Sequence, residues 1–263
     1  MKHLSTFLRE MPLAHALWRA AESEVLCEHH WRHPVLDLGC GDGTFVRTIF
    51  DQPLEAGVDL SLPQLRRASA KACYRHLCRA SGSALPFASE SFATVFSNCV
   101  LEHIPDVSSI LREVARVLQP GGELVFTVPS EYFRSLLLYA RALRHLGLTS
   151  ASEAYGRFID RVFHHHNCDG PPVWDQRLTA AGLTLTSYRY IVPARAEALW
   201  DMLLPVAAAQ QISWRRLPAL GLLGQEVVGP RLQGALEKAL TMRNDLGGGL
   251  VMIASKVETR AAG

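Results

Sequence analysis

The nine residues Val35-Leu36-Asp37-Leu38-Gly39-Cys40-Gly41-Asp42-Gly43 constrain the fold more than any other stretch of the chain. A short apolar run, residues 34–38, enters a cluster of glycines, and helical sequence resumes over residues 44–50. A buried parallel strand passes into a tight turn and a helix in this way. Glycines let the backbone turn sharply and let a ligand approach without side chains between. A second apolar run, residues 54–60, ends near Asp59. A carboxylate at the end of that strand can accept hydrogen bonds from both hydroxyls of a ribose.

The alternation continues. Residues 61–63 start a helix, with Ser61 as N-cap and Pro63 in the first turn. Residues 75–80 and 92–97 read as strands three and four. Residues 106–118 have helical periodicity through Val107, Ile110, Leu111, Val114 and Leu118, and Gln119-Pro120-Gly121-Gly122 stops them before a fifth strand at 123–128. Strand and helix in turn predict a doubly wound α/β fold, a largely parallel sheet with helices on both faces. Upstream, residues 4–31 read as one helical cover. Downstream, residues 131–147 and 172–181 read as helices, 183–191 as a sixth strand, and 250–257, after Gly247-Gly248-Gly249, as a last strand. Between these two strands lies an apolar, mostly helical insertion, residues 193–245. The expected organisation is one domain over 1–263. It comprises the cover (1–31), a cofactor-binding core (32–130), an acceptor-side region (131–192), the insertion or lid, and a last strand with tail (246–263).

Composition excludes several classes. With 27 Lys and Arg against 25 Asp and Glu, the net charge is +2, too small for a dedicated nucleic-acid binder. The six cysteines form no CxxC pair and several sit in apolar runs. They read as free thiols, and the expected compartment is cytoplasmic. The N-terminal residues lack the apolar core of a signal peptide. No stretch reaches the roughly 18 apolar residues of a membrane span.

The loop spacing, Gly39-x-Gly41-x-Gly43, departs from the dinucleotide fingerprint G-x-G-x-x-G. A dinucleotide needs a helix N-terminus aimed at its pyrophosphate, and Asp37 or Asp42 would repel that group. S-adenosylmethionine has no phosphate. Its zwitterionic end and cationic sulfonium tolerate a carboxylate nearby. The plain alternative is an ordinary strand–helix turn, made less attractive by Asp59.

VLDLGCGDGTF resembles motif I of the class I methyltransferases, the group that includes the ubiquinone/menaquinone-type enzymes and the "methyltransferase domain 11" relatives. Four further segments agree in order. GVDLS (57–61) is similar to the strand-two motif with its ribose-binding acid. Leu85-Pro86-Phe87, followed by Glu90-Ser91-Phe92-Ala93-Thr94-Val95, is similar to the family's "LPF…SFD" segment. Asn98-Cys99-Val100-Leu101-Glu102-His103-Ile104 is similar to its "VLEHI" loop, and residues 116–122 to its "R-x-L-x-P-G-G" turn. The resemblance covers residues 34–130 and implies a Rossmann-like, seven-stranded sheet with the last strand antiparallel. It implies S-adenosyl-L-methionine as cofactor. It places Asp37, Gly39, Cys40, Gly41 and Gly43 in the glycine loop, Asp59 and Leu60 at the ribose, Ser83, Ala84 and Leu85 on the adenine side, and Asn98 and Cys99 after strand four. Two positions depart from the pattern. Ser81 stands near where the family has an adenine-binding Asp, and "SFD" reads Ser91-Phe92-Ala93.

Methyl transfer to a hydroxyl needs a proton acceptor near neutral pH, and histidine suits it. His103, in the loop after strand four, is one candidate, against a purely structural role. His164, His165 and His166 are the others, in a stretch similar to a histidine-rich segment of some bacterial relatives that closes with Trp174, Leu178 and Gly182. No metal is expected there, because adjacent side chains point apart and converge poorly on one ion. Cys99 reads as a lining residue rather than a nucleophile. The insertion holds Trp200, Trp214-Arg215-Arg216-Leu217 and Leu220 to Leu223. It reads as a cap over the sheet, with an apolar wall for the acceptor or a peripheral membrane contact as the alternatives.

The expected function is methyl transfer to a small-molecule acceptor, apolar or lipid-linked, with oxygen ahead of carbon or nitrogen. A catalytically silent scaffold with the same fold is the alternative. A nicotinamide oxidoreductase is disfavoured by the loop spacing. Base methylation is disfavoured because Asn98-Cys99-Val100-Leu101 stands where a Pro-Pro-aromatic run would. The sequence does not indicate an oligomeric state.

Overall fold

The computed structural model describes residues 3–216, 230–240 and 246–257. Residues 217–229 and 241–245 of the expected insertion, Leu220 to Leu223 among them, lie outside the described residues, as does the side chain of Trp214. The chain divides into two compact units, each assembled from three stretches of sequence.

One unit comprises residues 29–130, 164–189 and 250–263. Its sheet has seven strands in the order β3-β2-β1-β4-β5-β7-β6: β1 Val35–Leu38, β2 Leu54–Asp59, β3 Tyr74–Arg79, β4 Phe92–Asn98, β5 Leu118–Pro129, β6 Leu183–Pro193 and β7 Gly247–Lys256. The first five pair in parallel. Pairing turns antiparallel at the β7 end. All four residues of β1 are buried, which is why it reads as an unbroken apolar run around Asp37 rather than an alternating one. The connecting helices are α3 Thr44–Ile49, α4 Leu62–Lys71, α5 Val107–Val117 and α9 Pro171–Ala180. In α5, Val107, Ile110, Leu111 and Val114 are buried as the periodicity predicts, and Val117 ends the stripe in place of Leu118, which opens β5.

Two local expectations change. Ser61 occupies the N-cap of α4 but makes no side-chain capping bond. Its backbone N–H donates instead to Asp59 Oδ1 at 2.7 Å. The Gln119–Gly122 segment does stop α5, yet it belongs to β5, whose register against β4 shifts between Phe92 and Thr94. Gly121 at φ +69° absorbs the irregularity.

The other unit comprises residues 1–28, 131–163 and 190–249. Among the described residues it holds α1 Leu4–Glu10, α2 Leu13–Leu26, α6 Phe133–Leu136, α7 Leu138–His145, α8 Thr149–Phe163, α10 Ala194–Arg216 and α11 Pro230–Leu240. The single helix expected over residues 4–31 is two. Met11 is extended at φ −149°, ψ 164°, and Pro12 opens α2. Proline has no N–H to continue the ladder and forces its predecessor out of the helical region. The helix expected over 131–147 breaks likewise at Leu137, ψ 134°. Trp18, Phe133, Phe163 and Trp200 form an aromatic core, with Trp200 ring centroids 5.8 Å from Trp18, 5.5 Å from Phe133 and 5.2 Å from Phe163. Trp200 is thus a core residue of this unit. No described helix is long and apolar enough to cross a membrane.

Candidate functional site

The glycine loop leaves β1 in a chain of backbone bonds. The N–H groups of Gly39 and Cys40 both donate to Val58 O, at 2.8 and 3.0 Å, and Gly43 N–H donates to Cys40 O at 3.1 Å. These bonds lash the loop to the end of β2. Gly39 lies at φ +80°, and a Cβ there would stand 2.4 Å from a Val100 methyl. Conformation and space both require glycine. Gly41, at φ +52°, differs: a Cβ would meet nothing within 4 Å. Its outer face is open.

Asp59 closes the arrangement. Its Oδ2 accepts from Gly41 N–H at 2.9 Å and its Oδ1 from Ser61 N–H at 2.7 Å. Each carboxylate oxygen keeps acceptor capacity for a further donor. Leu60, next along, is 65% exposed. Asp42 accepts from the N–H of Thr44, the first residue of α3, at 3.0 Å and pairs with Lys71 at 2.9 Å. Burial pushes its carboxyl up, but these bonds from Thr44 and Lys71 outweigh that and hold it below its ordinary range.

Asp37 is buried, and Tyr74 Oη donates to its Oδ2 at 2.6 Å. Burial and the adjacent Asp37 carboxylate push the Tyr74 hydroxyl well above its usual value, so it remains a donor. Burial, with Asp37 and Asp59 nearby, likewise keeps the Cys40 thiol protonated. Tyr74 was not singled out in the sequence, where it opens a weak third strand with no motif around it.

Ser83, Ala84 and Leu85 lie in the turn before β4. Ala84 N–H donates to Ser81 O at 3.0 Å, and the Ser81 and Ser83 hydroxyls are 2.8 Å apart. Leu85 N–H donates to Glu113 Oε2 at 2.8 Å, while Arg116 donates to Leu85 O and Phe87 O at 3.0 and 2.8 Å. The Arg116 guanidinium beside Glu113 lowers that carboxyl's pKa. Arg116, noted in the sequence only as part of a turn motif, therefore anchors the Leu85 segment onto α5.

Beyond β4, Thr127 Oγ1 donates to Asn98 Oδ1 at 2.5 Å, and Cys99 N–H donates to Thr127 O at 3.1 Å. Cys99 is left-handed at φ +51°. A 3₁₀ turn, Leu101–His103, follows, and residues 164–167 are bound to it. The N–H groups of His166 and Asn167 donate to Glu102 O at 2.6 and 3.2 Å, and Asn167 Nδ2 donates to Leu101 O and Ile104 O at 3.0 and 2.7 Å. Asn167 is buried and carries this junction. Its signal in the sequence was adjacency to the histidines and no more. Of the four histidines, the structure brings together His103 and His165, with ring centroids 5.5 Å apart. His164 and His166 are exposed.

Residues 36–126 match the family model described as "Methyltransferase domain". Malonyl-[acyl-carrier protein] O-methyltransferase of Pseudescherichia vulneris is 36% identical over 114 residues, 42% of this chain and 45% of that one. Arsenite methyltransferase of Aquipseudomonas alcaligenes is 36% identical over 109 residues, 35% of this chain and 32% of that one. The matched region thus spans less than half the length of these curated relatives. Among solved structures, a SAM-dependent methyltransferase from Thermotoga maritima superposes with a TM-score of 0.57 at 13% identity, covering 93% of this chain and 91% of that one. Geranyl diphosphate C-methyltransferase from Streptomyces coelicolor A3(2), solved with S-adenosyl-L-homocysteine, gives 0.54 at 15%, covering 90% and 75%. At these identities the structural likeness is one of fold.

Proposed function

From the match of residues 36–126 to the methyltransferase-domain family, we propose that the protein binds S-adenosyl-L-methionine at its glycine loop and transfers the methyl group to a small-molecule acceptor. The observation that carries this reading is the pairing of the open face of Gly41 with the Asp59 carboxylate. An uncrowded backbone beside two oxygens with spare acceptor capacity suits a ribose diol. When bound, the cofactor supplies a methyl carbon activated by its sulfonium, which leaves as a neutral thioether.

The chain's own groups do the rest. Asp59 holds the ribose hydroxyls, with Leu60 beside them. Gly39, Cys40, Gly41 and Gly43 offer backbone to the amino-acid end, and Asp37 supports the loop through Tyr74. Ser83, Ala84 and Leu85 border the adenine. Asn98 and Cys99 line the carboxyl end of β4, where ligands of open α/β sheets bind. The acceptor's lone pair forms the new bond to the methyl carbon as the carbon–sulfur bond breaks. A histidine, His103 or one of His164 to His166, takes the acceptor's proton. That histidine supports our preference for an oxygen acceptor over carbon or nitrogen.

Calorimetry tests the core of the proposal. S-adenosylhomocysteine should bind at micromolar strength, about −8 kcal/mol, and NADH should not compete. Tight NADH binding without S-adenosylhomocysteine binding would overturn it. The acceptor atom is read separately. With a carbon-13 methyl donor and a small-molecule extract, the labelled carbon should show the chemical shift of an O-methyl group. Label on nitrogen or carbon would reverse the preference.

A further inference from the structure

The expectation of no metal at the triple histidine rested on adjacent side chains pointing apart. That argument does not speak to partners from elsewhere in the chain. His165 meets two residues of the 3₁₀ turn, and the ligand atoms of Glu102, His103 and His165 all lie within 4.8 Å of one another. We infer that these three side chains form a binding site for one divalent transition-metal ion of the zinc class.

Four observations support the assignment. The donor set, two imidazoles and one carboxylate, is that of open zinc and non-haem iron sites. One ligand pair is spaced close to what an ion needs. His103 Nε2 stands 3.6 Å from Glu102 Oε1, and two ligands about 2.0–2.1 Å from a tetrahedral ion are about 3.3 Å apart. The second ring nitrogen is placed as well. His103 Nδ1 faces His164 O at 3.4 Å. A carbonyl only accepts, so Nδ1 is the donor there, and Nε2 is the nitrogen turned to the Glu102 carboxylate, able to bind an ion once it gives up any proton. Metal-binding histidines are commonly fixed by such a bond from the other ring nitrogen. Finally, the site is held in place before any ion arrives. The Glu102 carboxylate is buried, and the four bonds from His166 and Asn167 to residues 101–104 join the two ligand-bearing segments.

Three protein ligands leave coordination positions open, as in catalytic rather than structural zinc sites. An acceptor hydroxyl, thiol or carboxylate could occupy one. An ion there would lower the pKa of a bound hydroxyl, and with His103 and His165 as its ligands the proton-accepting role proposed above would fall to His164 or His166. Ion binding itself does not depend on the methyl-transfer reading.

The test uses the full chain, stripped with chelator and titrated with Zn²⁺ by calorimetry and with Co²⁺ by visible and proton NMR spectroscopy. One equivalent should bind at micromolar strength or better, and the Co²⁺ form should show paramagnetically shifted ring protons from two histidines. His103→Ala, His165→Ala and Glu102→Gln should each weaken Zn²⁺ binding at least tenfold, while S-adenosylhomocysteine titration and thermal melting verify that each variant is folded. If a variant does not fold, the Co²⁺ spectrum of the parent chain decides. Absence of stoichiometric binding, parental affinity in both histidine variants, no shifted histidine protons, or a thiolate charge-transfer band from a cysteine ligand would each overturn the assignment.

Discussion

The Asp59 carboxylate accepts a hydrogen bond from the backbone N–H of Gly41 at 2.9 Å, so the residue assigned to the ribose also holds the loop assigned to the rest of the cofactor. Asp59→Ala should therefore lose more than a ribose contact. Two hydrogen bonds to a charged acceptor vanish, at about 1.5–3 kcal/mol in all, and the loop loses one of its ties to β2, the bonds from Gly39 and Cys40 to Val58 O remaining. Calorimetry should show S-adenosylhomocysteine binding weakened by tenfold or more while thermal unfolding remains cooperative. Unchanged affinity would move the ribose site elsewhere.

Gly39→Ala should destabilise the fold by about 2–5 kcal/mol, from a left-handed alanine together with the collision with Val100. The two contributions can be separated. Val100→Ala in the Gly39→Ala background should recover the steric part and leave the conformational part. Denaturant midpoints for the four members of that cycle measure it. Strict additivity would mean that Val100 does not crowd Gly39.

Tyr74→Phe should remove a hydrogen bond from the buried Asp37 carboxylate, at about 1–3 kcal/mol. The effect should shrink in an Asp37→Asn background, where no charge is left to satisfy. Urea unfolding at constant slope gives both values, and equal losses in the two backgrounds would contradict the pairing.

Glu197 is fully buried, with no hydrogen-bond partner for either carboxylate oxygen among the described residues, and burial followed by the nearby Asp201 raises its pKa well above 4.5. Below that value the group is neutral in both states. As pH rises past it, the unfolded chain gives up the proton and the folded chain keeps it. Stability therefore falls with pH, by at most about 1.4 kcal/mol per unit, until the folded pKa is passed. His15, drawn down to about 4 by burial, has the opposite slope on the acid side, so the informative quantity is the difference between parent and variant. Glu197→Gln should gain on the parent as urea midpoints are taken from about pH 5 to about pH 8. Parallel curves would refute the burial of a neutral acid.

The core of the fold was legible because its signals are local and steric. Gly39 and Gly43 occupy left-handed conformations, Asp59 ends a buried strand, and the stripe of α5 has helical period. The interior of α8 was not legible. Its buried residues are Ser152, Gly156, Ile159 and Asp160, and a face made of small and polar groups leaves no apolar periodicity to read. Pro12 was visible but was not taken as a break. The clustering of Glu102, His103 and His165 was hidden for another reason: it joins segments some sixty residues apart, held in part by an asparagine that donates to backbone carbonyls.

The interleaving of the two units bears on how the chain is made. Trp18 finds its partners in Phe133 and Trp200, which leave the ribosome long after it does. At about 5–20 residues per second, the aromatic face of α2 waits on the order of ten seconds or more for its core. Through that interval the nascent chain displays an unsheltered tryptophan and leucine stripe, Leu13, Leu17 and Trp18. A helper that shields apolar helices during synthesis would act there, and slow codons placed between residues 28 and 131 would lengthen the exposure without altering a single amino acid of the finished molecule.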